Sequence, residues 1–154
     1  MKACRTRTLR GILTSETGAF KRRIIIDDGR NNYGLKVVGF KVWTTLEEPS
    51  AYGWFKLSLD VQPVGPNYFD ASDNRQIAWT TFGYVASPTQ ASDTFETREI
   101  LDPDHIVNRD LYLEGMGSHS PVAFNYMIIC QEYELTDDEA IITLIKETSQ
   151  NTTH

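Results

Sequence analysis

Two cysteines in 154 residues, Cys4 and Cys130, give this sequence no CxxC pair and no other paired spacing. That excludes the usual zinc-finger and thiol-redox signatures. Cys130 stands in an apolar run and reads as a buried small hydrophobe; whether it bridges Cys4 is left open. Long hydrophobic runs are missing too, and nothing approaches the roughly 20 apolar residues of a membrane-spanning helix. Lys2, Arg5, Arg7 and Arg10 imitate the charged start of a secretory signal, but only Gly11 to Thr14 follow before polar residues return, so no signal peptide is expected. There is no GxSxG elbow, Walker A loop, dinucleotide fingerprint or HExxH helix. The common catalytic motifs are therefore absent. The chain reads as a non-enzyme without a cofactor, one that works through its surfaces.

What the sequence does contain is a succession of short β-like runs divided by turn signals. A chain of this length fits one domain, 1–154, and such a domain buries roughly two-thirds of its unfolded surface without metal or disulfide staples. After a short basic tail (1–6), Thr6–Thr14 reads as a strand, and Ser15-Glu16-Thr17-Gly18 as a turn. Phe20–Ile26 carries three consecutive isoleucines, as a buried strand does. Asp27–Gly34 is a polar loop. In Leu35–Thr45 the apolar phase slips between Val37 and Val38, which predicts a β-bulge. Phe55, Leu57, Leu59 and Val61 alternate with Lys56, Ser58, Asp60 and Gln62, the pattern of a strand with one face in water.

Further strands are expected at Gln76–Val85, Phe95–Leu101 and Ile106–Leu113. Pro63–Asn74, Ser87–Asp93 and Gly115–Ser120 read as loops. Phe124–Leu135 reads as a central strand covered on both faces. The period then changes. Thr136-Asp137-Asp138-Glu139 has the form of a capping box, with Leu135 facing Ala140 as a staple. Ile141, Leu144, Ile145 and Thr148 share a helical face. A C-terminal helix over 136–148 follows, with Ser149–His154 as a frayed tail. About eight strands and one short α-helix predict an all-β, antiparallel β-sandwich of the jelly-roll kind. Strand count does not fix strand order.

Charge is unevenly placed. Residues 1–45 hold ten basic and three acidic residues, a balance of +7; residues 46–154 hold five and eighteen, a balance of −13, within a net charge of −6. Such asymmetry suits a nucleic-acid-facing strip or complementary surfaces on neighbouring copies. Candidate interface or nucleic-acid contacts are Arg5, Arg7, Arg10, Lys21, Arg22 and Arg23. For the Lys21-Arg22-Arg23 cluster, a charged strand end that discourages edge pairing is the plainer reading. Among the aromatics Tyr52, Trp54, Tyr68, Phe69, Trp79 and Tyr84, the candidates for stacking on a ligand are Tyr68 and Trp79. Core or interface anchoring is the ordinary use of such residues. His105 and His119 read as loop histidines rather than metal ligands. Asp70, Asp73 and Asn74 read as Asx turns rather than a calcium loop, and Asn151-Thr152-Thr153 as a chance sequon.

Several segments carry a resemblance. They are Leu101-Asp102-Pro103-Asp104-His105-Ile106-Val107, Asp110-Leu111-Tyr112-Leu113, Asn125-Tyr126-Met127-Ile128-Ile129, Asp137-Asp138-Glu139-Ala140 and Asp73-Asn74-Arg75-Gln76-Ile77-Ala78-Trp79. Over about half of its length the chain resembles small jelly-roll structural proteins of marine bacteriophages. The resemblance implies a virion protein, a capsid or capsid decoration or vertex subunit, assembled in the host cytoplasm. Its implied partners are copies of itself and other capsid proteins, with nucleic acid a weaker partner because the basic start is short. It brings no catalytic residues. The alternative is a carbohydrate- or receptor-binding β-sandwich module that takes a glycan or receptor.

Overall fold

The computed structural model describes residues 1–15, 19–26, 32–45, 50–61, 69–85, 94–117 and 122–152. Eight strands and one helix follow in order: β1 (Lys2–Ser15), β2 (Ala19–Ile24), β3 (Tyr33–Thr44), β4 (Ser50–Ser58), β5 (Gln76–Val85), β6 (Thr94–Leu101), β7 (Leu111–Gly117), β8 (Val122–Glu134) and α1 (Asp137–Thr152). They form two antiparallel sheets. Sheet A has the order β1-β8-β3, and sheet B the order β2-β7-β4-β5-β6. First pairs with last, second with seventh, and fourth with fifth. This is a long hairpin rolled up on itself, the jelly-roll. The fold is therefore the all-β sandwich with a C-terminal helix that the sequence predicts.

The remaining pair of the roll, β3 with β6, is closed by a side chain. Glu99, on the inner side of β6, accepts the Phe40 backbone N–H at 2.8 Å and lies 3.8 Å from the Lys41 ammonium. One carboxylate thus satisfies a strand donor that would otherwise be orphaned at the edge of sheet A.

The core lies between the sheets and centres on phenylalanines. Phe124 of sheet A meets Phe20, Phe55 and Phe82 of sheet B at centroid distances of 5.2, 5.0 and 6.2 Å. The spacing and tilt suit aromatic pairs. Glycines make the room. Gly115 sits in register between Phe20 and Phe55, and a Cβ there would come within 1.9 Å of the Phe55 ring.

Local details follow the sequence closely in places. The β3–β8 register shifts between Val37 and Gly39, which places the bulge at Val38. The capping box is formed: Glu139 N–H donates to Thr136 Oγ1 at 3.3 Å, and Thr136 N–H donates to Glu139 Oε2 at 2.8 Å. Leu135 and Ala140, the two ends of the staple, are both buried.

Other expectations are corrected. Residues 2–6 are not a tail but the start of β1, laddered to the end of β8. The seventh strand is Leu111–Gly117 rather than Ile106–Leu113; Val107 contributes only an isolated bridge to Leu35. The helix continues to Thr152 instead of fraying at Ser149. Strand β8 is central in sheet A, but its outward residues Asn125, Met127, Ile129 and Gln131 are only half-buried. Cys4 is exposed, Cys130 is buried, and both are free. Burial pushes the Cys130 thiol up to about 11, as desolvation disfavours the thiolate. Residues 16–18 of the first turn and the Ser87–Asp93 loop lie outside the described residues, as do most of Asp27–Gly34, the 63–68 half of Pro63–Asn74 and the 118–120 end of the Gly115–Ser120 loop.

Candidate functional site

The outer face of sheet B carries the most varied chemistry among the described residues. Strand pairing arranges it in rows. One row runs Ala19, Met116, Trp54, Thr81, Arg98; the next runs Lys21, Glu114, Lys56, Trp79, Ile100. In-register positions on one face of a sheet are close neighbours.

Two adjoining hollows lie on this face. One, about 310 Å³, is lined by Phe69, Ala71, Trp79, Thr80, Thr81, Arg98 and Ile100. The other, about 340 Å³, is lined by Tyr52, Gly53, Trp54, Thr81, Phe82, Gly83 and Arg98. They share Thr81 and Arg98, so they form one groove with a guanidinium at its middle. Tyr52 and Trp54 stack with rings 5.7 Å apart and 3° from parallel. Trp79 is held by its indole N–H, which donates to Gln76 Oε1 at 2.8 Å; the same oxygen accepts the Asp70 backbone N–H at 3.0 Å. The ring is therefore fixed in orientation before any ligand arrives.

Beside the groove, charge is buried on an outward face. Lys56 is 1% exposed and Glu114, opposite it in register, is 2% exposed. Burial lowers the Lys56 pKa below the ordinary lysine value, opposed by the charges of Glu114, Asp73 and Asp70. Asp73 is itself committed: its carboxylate accepts from Arg75 Nε at 3.0 Å and Arg75 Nη2 at 2.9 Å, as well as from the Arg75 backbone N–H. Asp70 Oδ1 accepts from the Ser72 backbone at 3.0 Å and the Ser72 hydroxyl at 2.5 Å. Both are turns of the Asx kind. No group of three or more His, Cys, Asp or Glu side chains suited to a metal exists among the described residues. His105 follows a turn in which Asp104 N–H donates to Asp102 Oδ1 at 3.0 Å; His119 lies outside the described residues.

The sequence-chosen basic residues are dispersed. Lys21, Arg22 and Arg23 are consecutive on a strand, so they alternate in direction. Lys21 faces outward on sheet B, while Arg22 lies 5.8 Å over the Tyr126 ring. Arg23 donates to Asp110 Oδ2 at 2.8 Å, and that hydrogen bond raises its pKa. Asp110 also accepts the Ile26 N–H at 3.0 Å, tying the β2 end to the β6–β7 connection. On β1, Arg5 reaches the buried Glu132 at 3.4 Å. Arg7 shares the inward row of Cys130, and Arg10 shares the outward row of Met127. The six do not converge on one patch.

Of the two stacking candidates, Trp79 lines the groove and Tyr68 lies outside the described residues. Tyr52, Trp54 and Phe69 join Trp79 there. Arg98, Thr81 and Ile100 were not singled out from the sequence. Their signal was the alternation of β6, which puts Arg98 and Ile100 on one face. No protein-family model matches the chain, and no curated protein matches it.

Proposed function

We propose that this protein is a structural subunit of a virus particle, a capsid or capsid-associated jelly-roll that assembles with copies of itself rather than catalysing a reaction. The observation that carries the reading is what the roll leaves open. Strand β1, 14 residues long, is an edge strand that among the described residues ladders to β8 alone. Long open edges are templates for pairing with another chain, and proteins that stay monomeric shorten or cover them. The nested strand order is one used by virus shell subunits, and the resemblance of Leu101–Val107, Asn125–Ile129 and Asp137–Ala140 to phage structural proteins points the same way. Copies of itself and other capsid proteins are the partners, and the virion, assembled in host cytoplasm, is the location. The dispersal of Arg5, Arg7, Arg10, Lys21, Arg22 and Arg23 gives nucleic acid a minor part.

The test is negative-stain microscopy and light scattering of the purified chain. Rings, pentamers or shells, or binding to preformed particles, are expected. A persistent monomer without affinity for particles overturns the reading.

A second reading has its own observation, the groove of Tyr52, Trp54, Trp79 and Arg98. Flat rings beside a guanidinium suit a glycan or glycosylated receptor. A glycan array on the wild-type chain and on Trp79→Ala and Trp54→Ala tests it; binding that both substitutions abolish is expected, and no binding removes it.

A further inference from the structure

Helix α1 leaves most of its described side chains open to solvent. Of its described side chains only Ala140 is buried, while Ile141, Ile142 and Ile145 are 57, 52 and 59% exposed. Those three isoleucines fall on one face at helical spacing, with Asp138 a turn before them. Its first turn is acidic throughout, Asp137-Asp138-Glu139, and no basic residue closes its last turn.

Sheet A has the complementary surface. Its outward rows are Thr6–Gln131–Lys36, Thr8–Ile129–Gly39, Arg10–Met127–Lys41 and Ile12–Asn125–Trp43, with Val38 bulged out beside them. Ile12, Val38 and Trp43 are exposed, and Met127 and Ile129 lie between them. Ile129 lies across Gly39, where even a Cβ would come within 3.1 Å of it. The charged residues of this face are Arg10, Lys36 and Lys41; none of its rows contains an acid, and the exposed Lys41 has Glu99 of β6 3.8 Å away at the sheet edge. Three of the ten basic residues of 1–45 thus stand at the rim of an apolar stripe.

We infer that α1 of one copy seats its Ile141, Ile142 and Ile145 face on the outer face of sheet A of a second copy, with its acidic first turn against the Arg10, Lys36 and Lys41 rim. The inference rests on the self-assembly reading above and names the surfaces that perform it. The dimensions agree. Three strands span two inter-strand spacings, about 10 Å, which is about the diameter of one helix. Sixteen helical residues run about 24 Å, and the four rows of the face about 20 Å. Opposite charge at the rim and apolar contact at the centre is the usual division of labour in an interface.

Among the described residues the helix does not cover the outer face of its own sheet A, whose Ile12, Val38 and Trp43 stay exposed. The link from β8 is Leu135-Thr136. Leu135 is buried and donates its N–H to Asn32 O at 2.6 Å, and Thr136 is locked in the capping box. Folding back over the outer face of sheet A requires breaking both and lifting out Ala140. A second copy meets no such obstacle. Since each copy carries both surfaces, the contact either closes into a symmetric ring or dimer or propagates.

The experiment is light scattering coupled to size exclusion on the full chain and two exposed-surface variants. Ile141→Asp with Ile145→Asp removes the helix face, and Val38→Asp with Lys41→Glu removes the sheet face. Circular dichroism and a melting curve show that each still folds. Each variant alone is expected to self-associate about tenfold more weakly or worse, a difference that corresponds to about 1.4 kcal/mol. Mixed in equal amounts, the two are expected to form one-to-one heterodimers, because the sheet variant keeps a good helix and the helix variant a good sheet. Loss of association in the helix variant without rescue on mixing overturns the inference in favour of helix-to-helix pairing. Association unchanged in both variants overturns it while leaving the assembly reading intact. A wild-type monomer overturns it as well, and binding of that monomer to preformed particles then decides the assembly reading separately.

Discussion

Lys56 and Glu114 face each other on the outer side of sheet B at 1 and 2% exposure. A buried ion pair is weak support for stability, because desolvation offsets the attraction; removing one partner is what hurts. Lys56→Met is therefore expected to destabilise by about 3 kcal/mol, the lower end for a broken buried pair, because Lys21 still faces Glu114 from β2. Adding Glu114→Leu should recover most of that loss or exceed it. Denaturant midpoints of the two variants check this, and a double variant as unstable as the single would show that the pair serves packing alone. Gly115 makes a second residue-scale case. Its missing side chain is occupied by the Phe55 ring, so Gly115→Ala forces overpacking and should cost about 1–3 kcal/mol or more. Gly115 and Gly117 looked like loop residues in the sequence because the rings they accommodate, Phe55 and Phe124, are remote in the chain. That is why β7 was placed too early. Sequence shows an alternation, but not the partner that fills a gap.

At the scale of elements, legibility depends on whether the cause is local. The Val38 bulge was visible because it shifts the apolar phase within one strand. The capping box was visible because its residues are three apart. Its worth is open to measurement: Thr136→Ala should cost about 0.5–2 kcal/mol, read as a lower unfolding midpoint. Glu139 sharpens the point. The Thr136 N–H, then the chain's N-terminal ammonium, hold its carboxyl below the ordinary value of 4.5. Its contribution is thus fully present above 4.5 and is lost as pH falls through the lower folded-state value. Helical ellipticity should fall in that acid range in the wild type and stay flatter in Glu139→Gln, whose amide can still cap. A drop of equal size in both would assign the acid change elsewhere. The fate of the helix face was not local. The spacing of Ile141 and Ile145 identified a face, but the structure leaves both exposed. Periodicity states that a face is apolar and not what covers it. For the same reason the groove was only partly legible: Trp79 stood out as an aromatic, whereas Arg98 and Thr81 acquire meaning only when β6 lies beside β5.

Across the whole molecule, the strand order decides how the protein comes apart. Four of the seven connections change sheets: β1 to β2, β2 to β3, β3 to β4 and β7 to β8 all cross the sandwich. Phe124 of sheet A packs against three phenylalanines of sheet B, and Glu99 of sheet B holds Phe40 of sheet A. Neither sheet can lose its strands without dismantling the other, so one cooperative transition is expected of a domain of this size. The three tryptophans report on this separately. Trp43 belongs to sheet A, and Trp54 and Trp79 to sheet B. A variant retaining Trp43 alone and one retaining Trp79 alone, each with the other two replaced by Phe, should each show a fluorescence midpoint that coincides with that variant's own far-ultraviolet dichroism. Phe124→Ala in either background should lower that midpoint by the equivalent of about 3–5 kcal/mol and keep the two probes together. A Trp43 transition that precedes the dichroism change while Trp79 follows it would mean that sheet A melts first. The roll would then be two loosely joined sheets, with the outer face of sheet A and its open β1 edge as the part that yields.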